Sequence, residues 1–155
     1  MSLKDTPLGM PEQFNVIVEI PKGSPDKIEY NEDKDEMYVD FVFKKGLTFI
    51  YNYGFIPHTL AGDGDTVDVV LLGDKPIPSG SVVSARPIGI VKMLDRGVPD
   101  DKVIAVLADE PNCQLNLEEF KKFYAEVAKQ KQKTIEITGF EDKDQAIEAI
   151  RKAMK

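Results

Sequence analysis

The feature that most restricts the fold is a series of short apolar runs separated by turns that contain Gly or Pro. The runs are rich in β-branched and aromatic residues, a composition typical of β-strands. Six strands are therefore predicted, over 14–20, 37–43, 67–72, 81–94, 103–107 and 134–137. The fourth is long for one strand, and Pro87 and Gly89 within it predict a bulge or a sharp bend.

Two amphipathic patterns late in the chain predict helices. Asn116 and Glu119 have the spacing of an N-terminal cap, and the apolar face that follows contains Leu117, Phe120, Tyr124, Val127 and Ala128. The second helix is expected to start near Asp142 and to turn inward Ala146, Ile147, Ile150 and Met154. Short strands together with two late helices favour an α+β, mainly β fold, a small β-barrel with helices outside, and we expect one domain over 1–155.

Composition limits the possible partners. The chain has 42% hydrophobic and 30% charged residues and a net charge of −7, which is typical of a globular protein and unfavourable for binding nucleic acid or an anionic membrane. Cys113 is the only cysteine, and no stretch of 18 residues is apolar throughout. We therefore expect a cytoplasmic protein without an internal disulfide and with no membrane partner.

Acidic residues are concentrated at several predicted strand ends. Asp63, Asp65 and Asp68 lie within six residues (DGDTVD), and such crowding raises carboxylate pKa values unless a cation is present. Asp95 and Asp100 bracket the loop DRGVPD, and three further charged residues near the first strand and its turn are Glu19, Lys27 and Glu29. Oxygen donors without His or Cys favour Mg²⁺, or Mn²⁺, over zinc.

Several divalent ions in one acidic pocket suit phosphoryl transfer, with lysines such as Lys27 and Lys102 binding the remaining phosphate oxygens. Alternatives remain for the triplet alone. It could be a solvated turn. An EF-hand fits badly because Asp68 occupies its glycine position. Asp63 to Val67 also match the D-x-D-x-[TV] pattern of haloacid-dehalogenase-like phosphatases, but the alternating strands and helices of that fold are missing.

With these residues in view, the chain resembles the family I soluble inorganic pyrophosphatases over nearly its whole length. DGDTVD matches the family signature D-G-D-[large or Pro]-x-D, and IVEIPKGSPDKIEYN is similar to its VEIPKGS…KYEYD. Residues 51–57 (YNYGFIP) and 86–106 (RPIGIVKMLDRGVPDDKVIAV) correspond to its YPxxYGFIP and RPIGxxxMxDxxxxDxKxxAV segments. The resemblance implies a five-stranded, OB-like barrel and Mg²⁺-dependent hydrolysis of pyrophosphate, a small-molecule substrate, by a metal-activated water.

The resemblance also implies roles for single residues. The metal ligands would be Asp63, Asp68, Asp95 and Asp100, supported by Glu19 and Glu29. Asp65 would be the general base. Lys27 and Tyr53 would hold the phosphoryl group under attack, and Lys102 and Tyr124 would contact phosphate oxygens. Simpler readings stay open for two of them: Tyr124 lies on an apolar helix face like a core residue, and Glu19 alternates with apolar neighbours like a solvent-facing one.

The chain departs from the family pattern at the leaving phosphate. The resemblance implies an arginine and a lysine there, and this sequence has Phe41 and Ala125 instead. The segment between 106 and 120 is also shorter than in typical members, which removes a part that normally forms subunit contacts; we still expect a homo-oligomer. Three hypotheses follow: a pyrophosphatase with a rebuilt leaving-phosphate site (charge from Lys44, Lys45 or Arg96), a hydrolase of another phosphoanhydride or phosphate ester, and a non-catalytic metal- or phosphate-binding relative.

Overall fold

The computed structural model describes residues 2–155. After a short 3-10 helix at Leu3–Asp5, the described chain forms strands β1 (Gly9–Met10), β2 (Gln13–Ile20), β3 (Asp26–Asn31), β4 (Glu36–Val42), β5 (Asn52–Ile56), β6 (Val67–Leu71), β7 (Val82–Asp95), β8 (Val98–Pro99) and β9 (Lys102–Leu107), helix α1 (Leu117–Lys131), strand β10 (Ile135–Asp142) and helix α2 (Lys143–Ala153).

Five strands close into a ring. The pairing runs β2-β5-β6-β9-β7, and β7 pairs back with β2. All these pairs are antiparallel except β6 with β9. β1, β8 and β10 extend the ring at its edges, whereas β3 and β4 form a separate two-stranded sheet. The predicted five-stranded barrel with flanking strands is confirmed.

Two apolar clusters hold the helices against the strands. One joins α2, through Ala146, Ile150 and Ala153, to residues of the ring such as Phe14 and Val69. The other joins α1 to the ring and contains Phe120, Phe123, Tyr124 and Val127 of that helix. Burial of these side chains stabilises the helices on the ring, since each removes apolar surface from water.

Both helix starts are confirmed. The Asn116 side chain accepts a hydrogen bond from the Glu119 amide at 3.1 Å, and Asp142 accepts one from the Gln145 amide at 3.2 Å. These caps satisfy amides that lack partners within the helix. The inward position of Met154 was wrong, because the residue follows α2 and is 44% exposed.

All six predicted strands are present, and a register shift between Pro87 and Gly89 confirms the bulge in the fourth. Two longer strands were missed. β3 (DKIEYN) is largely polar, and β5 (NYGFI) is short and contains Asn and Gly. β10 continues beyond the predicted end at 137, through a glycine and two acidic residues. Within residues 2–155, no helix has the length and apolar character needed to span a membrane.

Candidate functional site

All eleven residues that the sequence singled out line one cavity of about 660 Å³. The cavity opens between the ring, the β3–β4 hairpin, the β7–β8 hairpin and the C-terminal half of α1. Its predicted members are Glu19, Lys27, Glu29, Tyr53, Asp63, Asp65, Asp68, Asp95, Asp100, Lys102 and Tyr124. Remote parts of the chain therefore meet in a single place.

The loop before β6 carries Asp63 and Asp65. Thr59 joins the two ends of this loop: its buried hydroxyl donates to the Ile56 carbonyl at 2.7 Å and accepts from the Val67 amide at 2.9 Å. The Asp63 carboxylate accepts a hydrogen bond from the Asp65 amide at 3.0 Å, which forms a local turn. Gly64 lies between them with φ +88°, a conformation that glycine adopts without steric cost.

Asp68 and Lys102 face each other because β6 and β9 are parallel and place them in register. The buried Lys102 ammonium donates to Asp68 at 2.6 Å and to Asp100 at 3.0 Å. Burial opposes its charge, but the two carboxylates together raise the pKa of Lys102 above its usual value. Burial raises the pKa of Asp100 to about 6, against the effect of Lys102 and with the help of Asp68.

Asp95 ends β7 at a tight turn. Arg96 and Gly97 both have positive φ (52° and 80°), and Asp95 pairs with Val98 across the two residues. This geometry is typical of the two-residue turns that join antiparallel strands. The Asp95 carboxylate accepts from Lys133 at 2.6 Å and from Arg96 at 3.1 Å. Partial burial acts to raise the pKa of Asp95, but these two cations lower it overall.

Glu19 points into the cavity because of a β-bulge. The register of β2 against β5 shifts between Val18 and Ile20, so Glu19 is the extra residue of the bulged strand. Its carboxylate accepts from the Tyr30 amide at 2.8 Å, and burial, with Asp68 and Glu29 nearby, raises the pKa of Glu19 to about 8. The solvent-facing alternative for Glu19 is therefore wrong.

The β3–β4 hairpin forms one wall of the cavity. Lys27 and Glu29 lie on the same side of β3, because side chains alternate along a strand, and both face the cavity. Lys27 donates to Glu29 and, at 3.2 Å, to Asp40 of β4. Burial opposes the Lys27 charge, but these carboxylates raise the pKa of Lys27 overall. Asp40 also lines the cavity and was not singled out from the sequence.

Two tyrosines lie on the floor of the cavity. The buried Tyr124 hydroxyl donates to the Tyr53 hydroxyl at 2.8 Å. Burial raises the pKa of both hydroxyls well above the usual range, so both are neutral donors. Tyr124 is thus a core residue of α1 and a cavity residue at the same time.

The cavity is short of positive charge. Eight carboxylates line it: Glu19, Glu29, Asp40, Asp63, Asp65, Asp68, Asp95 and Asp100. Within the described part of the chain, residues 2–155, only five cations face them: Lys27, Arg96, Lys102, Lys131 and Lys133. In this arrangement, no three His, Cys, Asp or Glu side chains of residues 2–155 are grouped closely enough to hold a metal ion. The donor set, oxygen only and in excess over the cations, fits Mg²⁺ in chemistry and charge.

The structure revises the expected positions around the leaving-phosphate site. Phe41 does not line the cavity; its ring packs on Phe43 at a centroid distance of 5.0 Å. Lys44 and Lys45 are exposed outside the cavity, whereas Arg96 lines it as expected. Two cations of the cavity were not predicted from the sequence: Lys131, the last residue of α1, and Lys133, two residues after it. The K-x-K spacing is visible in the sequence, but nothing in it shows that α1 ends against the acidic residues.

Known proteins resemble this chain in sequence and in structure. Residues 16–155 match the family model described as inorganic pyrophosphatase. Soluble inorganic pyrophosphatase 1 of Arabidopsis thaliana is 35% identical over 94% of this chain and 74% of its own length. Inorganic pyrophosphatase of Synechocystis sp. is 34% identical over 92% and 90%. The crystal structure of inorganic pyrophosphatase from Thermus thermophilus superposes with a TM-score of 0.90 at 32% identity, covering 99% of this chain and 97% of that one.

Proposed function

The chain belongs to the inorganic pyrophosphatase family, and we propose that it hydrolyses pyrophosphate to two phosphates in the acidic cavity. The observation that carries this proposal is the convergence of all eleven predicted residues on one cavity of about 660 Å³. A cavity of that size is ample for pyrophosphate. Since pyrophosphate is itself an anion, it requires divalent ions to enter a cavity in which carboxylates outnumber cations.

Six carboxylates are the proposed metal ligands: Asp63, Asp68, Asp95, Asp100, Glu19 and Glu29. Bound Mg²⁺ would neutralise phosphate oxygens and make water a better nucleophile at neutral pH. The raised pKa values of Glu19 (about 8) and Asp100 (about 6), both caused first by burial, support this assignment. Positive charge added beside these carboxyls would stabilise their anionic forms.

Asp65 is the proposed general base. Its pKa is raised by burial and by Asp63 and Asp68, which makes it a better proton acceptor than an isolated aspartate. Within residues 2–155 it accepts no hydrogen bond from a lysine or arginine, unlike Asp68 and Asp95. Asp65 is therefore available to take the proton from the water that attacks phosphorus.

The lysines and tyrosines are proposed to hold the substrate. Lys27 and Tyr53 bind the phosphoryl group under attack, and Lys102 and Tyr124 contact phosphate oxygens. Lys102 is fixed between Asp68 and Asp100, so its charge stays in one position. A fixed cation costs little reorganisation when negative charge develops in the transition state.

The experiment is a phosphate-release assay with Mg-pyrophosphate, with Mg²⁺ omitted in a parallel series. Asp65→Asn should lower kcat by about a hundredfold or more, because a positioned general base contributes on that order. Asp74→Asn is the matched control, since Asp74 is an exposed aspartate outside the cavity, and it should retain full activity.

Two outcomes would reject the proposal. A wild-type protein that binds Mg²⁺ but releases no phosphate would be a binding relative rather than an enzyme. A panel of phosphate esters and other phosphoanhydrides turned over in preference to pyrophosphate would assign a different substrate. Phe41 gives that second outcome no support, because its ring packs on Phe43 and does not line the cavity.

A further inference from the structure

One cation of the cavity, Lys131, has no anionic partner among the described residues. Lys27, Arg96, Lys102 and Lys133 each form an ion pair with at least one carboxylate of the cavity. Among residues 2–155, no carboxylate lies within 4.0 Å of the Lys131 ammonium, and this ammonium donates no hydrogen bond. A cation that lines an anion-binding cavity without a partner is available to a ligand.

Lys131 is held in place from two directions. It is the last residue of α1, and Gln132 then turns the chain in the left-handed conformation, with φ 54° and ψ 50°. Its ammonium lies 5.4 Å from the centroid of the Phe41 ring, within the range of a cation–π contact. The apolar ring thus orients the lysine without neutralising it.

The surroundings of Lys131 favour an incoming anion. Burial, and then the charges of Lys27 and Lys133, lower the pKa of Lys131. Lys27 lies between Lys131 and the region of Asp65, since it donates to both Asp40 and Glu29. Repulsion among Lys27, Lys131 and Lys133 is relieved when a polyanion binds among them.

We propose that Lys131 contacts the leaving phosphate of pyrophosphate and stabilises the charge that develops there. This inference rests on the proposed function. Asp65 lies beside Asp63 in the loop before β6, whereas Lys131 lies at the end of α1 over the Phe41 ring of β4. Lys131 thus belongs to a different part of the cavity from the proposed base, and the end of the substrate remote from the attacking water is the leaving group.

The competing explanation is structural. A lysine in the last turn of a helix interacts favourably with the helix dipole, and its contact with Phe41 adds packing. Lys129 lies in the same last turn, is exposed and does not line the cavity. Lys129→Gln is therefore the matched control, because it removes the dipole contribution but leaves the cavity unchanged.

The test compares Lys131→Gln, Lys131→Arg and Lys129→Gln. Steady-state kinetics with Mg-pyrophosphate give kcat and KM, calorimetric titration with inorganic phosphate in Mg²⁺ gives affinity, and thermal unfolding checks the fold. Lys131→Gln should lower kcat/KM by about tenfold or more and weaken phosphate binding by about tenfold, the effect of one charge-assisted hydrogen bond. Lys131→Arg should restore most of both, and Lys129→Gln should match wild type.

The inference fails if Lys131→Gln and Lys129→Gln are indistinguishable in both kcat/KM and phosphate affinity. It also fails if Lys131→Gln loses activity only in proportion to a loss of folded protein. A wild-type protein that releases no phosphate from pyrophosphate would reject the proposed function instead, and the phosphate titrations would still decide whether Lys131 binds the anion.

Discussion

At the scale of single residues, the main energetic cost is the burial of an acidic side chain, Glu19, on strand β2 of the ring. Glu19 lies at a bulge, accepts one amide hydrogen bond from Tyr30 and has a pKa of about 8, chiefly because of burial. A carboxyl whose pKa is higher in the folded state than in the unfolded state favours folding only while it is protonated. Its stabilising effect is complete below the unfolded pKa of 4.5 and is lost as the pH rises through about 8.

Glu19→Gln should therefore stabilise the metal-free protein at alkaline pH, by roughly 1–3 kcal/mol, because the amide keeps the acceptor for Tyr30 without the buried charge. Urea unfolding in EDTA across a pH series measures the effect, which should vanish below about pH 4.5. Glu12→Gln, at an exposed position in the turn between β1 and β2, is the control and should shift nothing. The same Glu19→Gln variant should bind Mg²⁺ more weakly. Equal stability of the variant and wild type at every pH would contradict the burial argument.

At the scale of elements, the close pairing of β5 with β2 depends on a glycine of β5, Gly54. A Cβ on Gly54 would lie 2.3 Å from the Ile17 carbonyl oxygen and 2.8 Å from a Val16 methyl, so the two backbones approach too closely for any side chain. Gly54 follows Tyr53 and also lines the cavity. Glycine is rare in strands, so Gly54 argues against a strand when only the sequence is considered. In the structure, the same glycine allows β5 to pair with β2.

Gly54→Ala should destabilise the protein by about 2–4 kcal/mol, because the clash is with backbone that cannot rotate away. Gly139→Ala is the matched control: it is also a strand glycine, but its Cβ would meet nothing within 4 Å and its φ is not positive. The control should change stability by less than about 0.5 kcal/mol. Chemical denaturation of both variants decides the matter, and comparable losses would show that glycine content rather than close approach is responsible.

The elements also show how far sequence reasoning reaches. Strands built from β-branched runs and helices with capping residues are identified correctly because local chemistry and tertiary packing favour the same structure. β3 was missed because Lys27 and Glu29, which line the cavity, alternate with Ile28 and Tyr30, so the segment contains no continuous β-branched run. The acidic residues at strand ends, together with the family resemblance, gave every proposed ligand, whereas Lys131 and Lys133 depend on where α1 ends in space, which no local pattern encodes.

At the scale of the whole molecule, the net charge of −7 is concentrated in part at one cavity, where eight carboxylates face five cations. Mutual repulsion among these groups opposes the folded state, and divalent ions should relieve it. A ligand that binds only the folded protein stabilises it by mass action. Folding stability and metal binding are therefore linked in this chain.

Adding Mg²⁺ to a hundredfold excess over its dissociation constant should stabilise the protein by about 2.7 kcal/mol per site, which raises Tm by several degrees. Thermal unfolding in Mg²⁺, compared with K⁺ at equal ionic strength, separates binding from screening. Asp68→Asn should flatten the Mg²⁺ response, and Asp74→Asn should not. An equal rise of Tm in both salts would mean that the cavity binds no divalent ion specifically.

The division of the strands into two sheets has a consequence for turnover. The wall with Lys27, Glu29 and Asp40 belongs to the β3–β4 hairpin, and no ladder of residues 2–155 connects that hairpin to the ring that bears Asp68 and Lys102. The hairpin is held to the ring by the bond from the Tyr30 amide to Glu19 and by apolar packing, such as the stacking of Tyr30 on Phe55 at a centroid distance of 5.8 Å. We therefore expect the release of two product ions to displace the hairpin rather than the barrel, because a displacement of the hairpin breaks no strand pair of the ring.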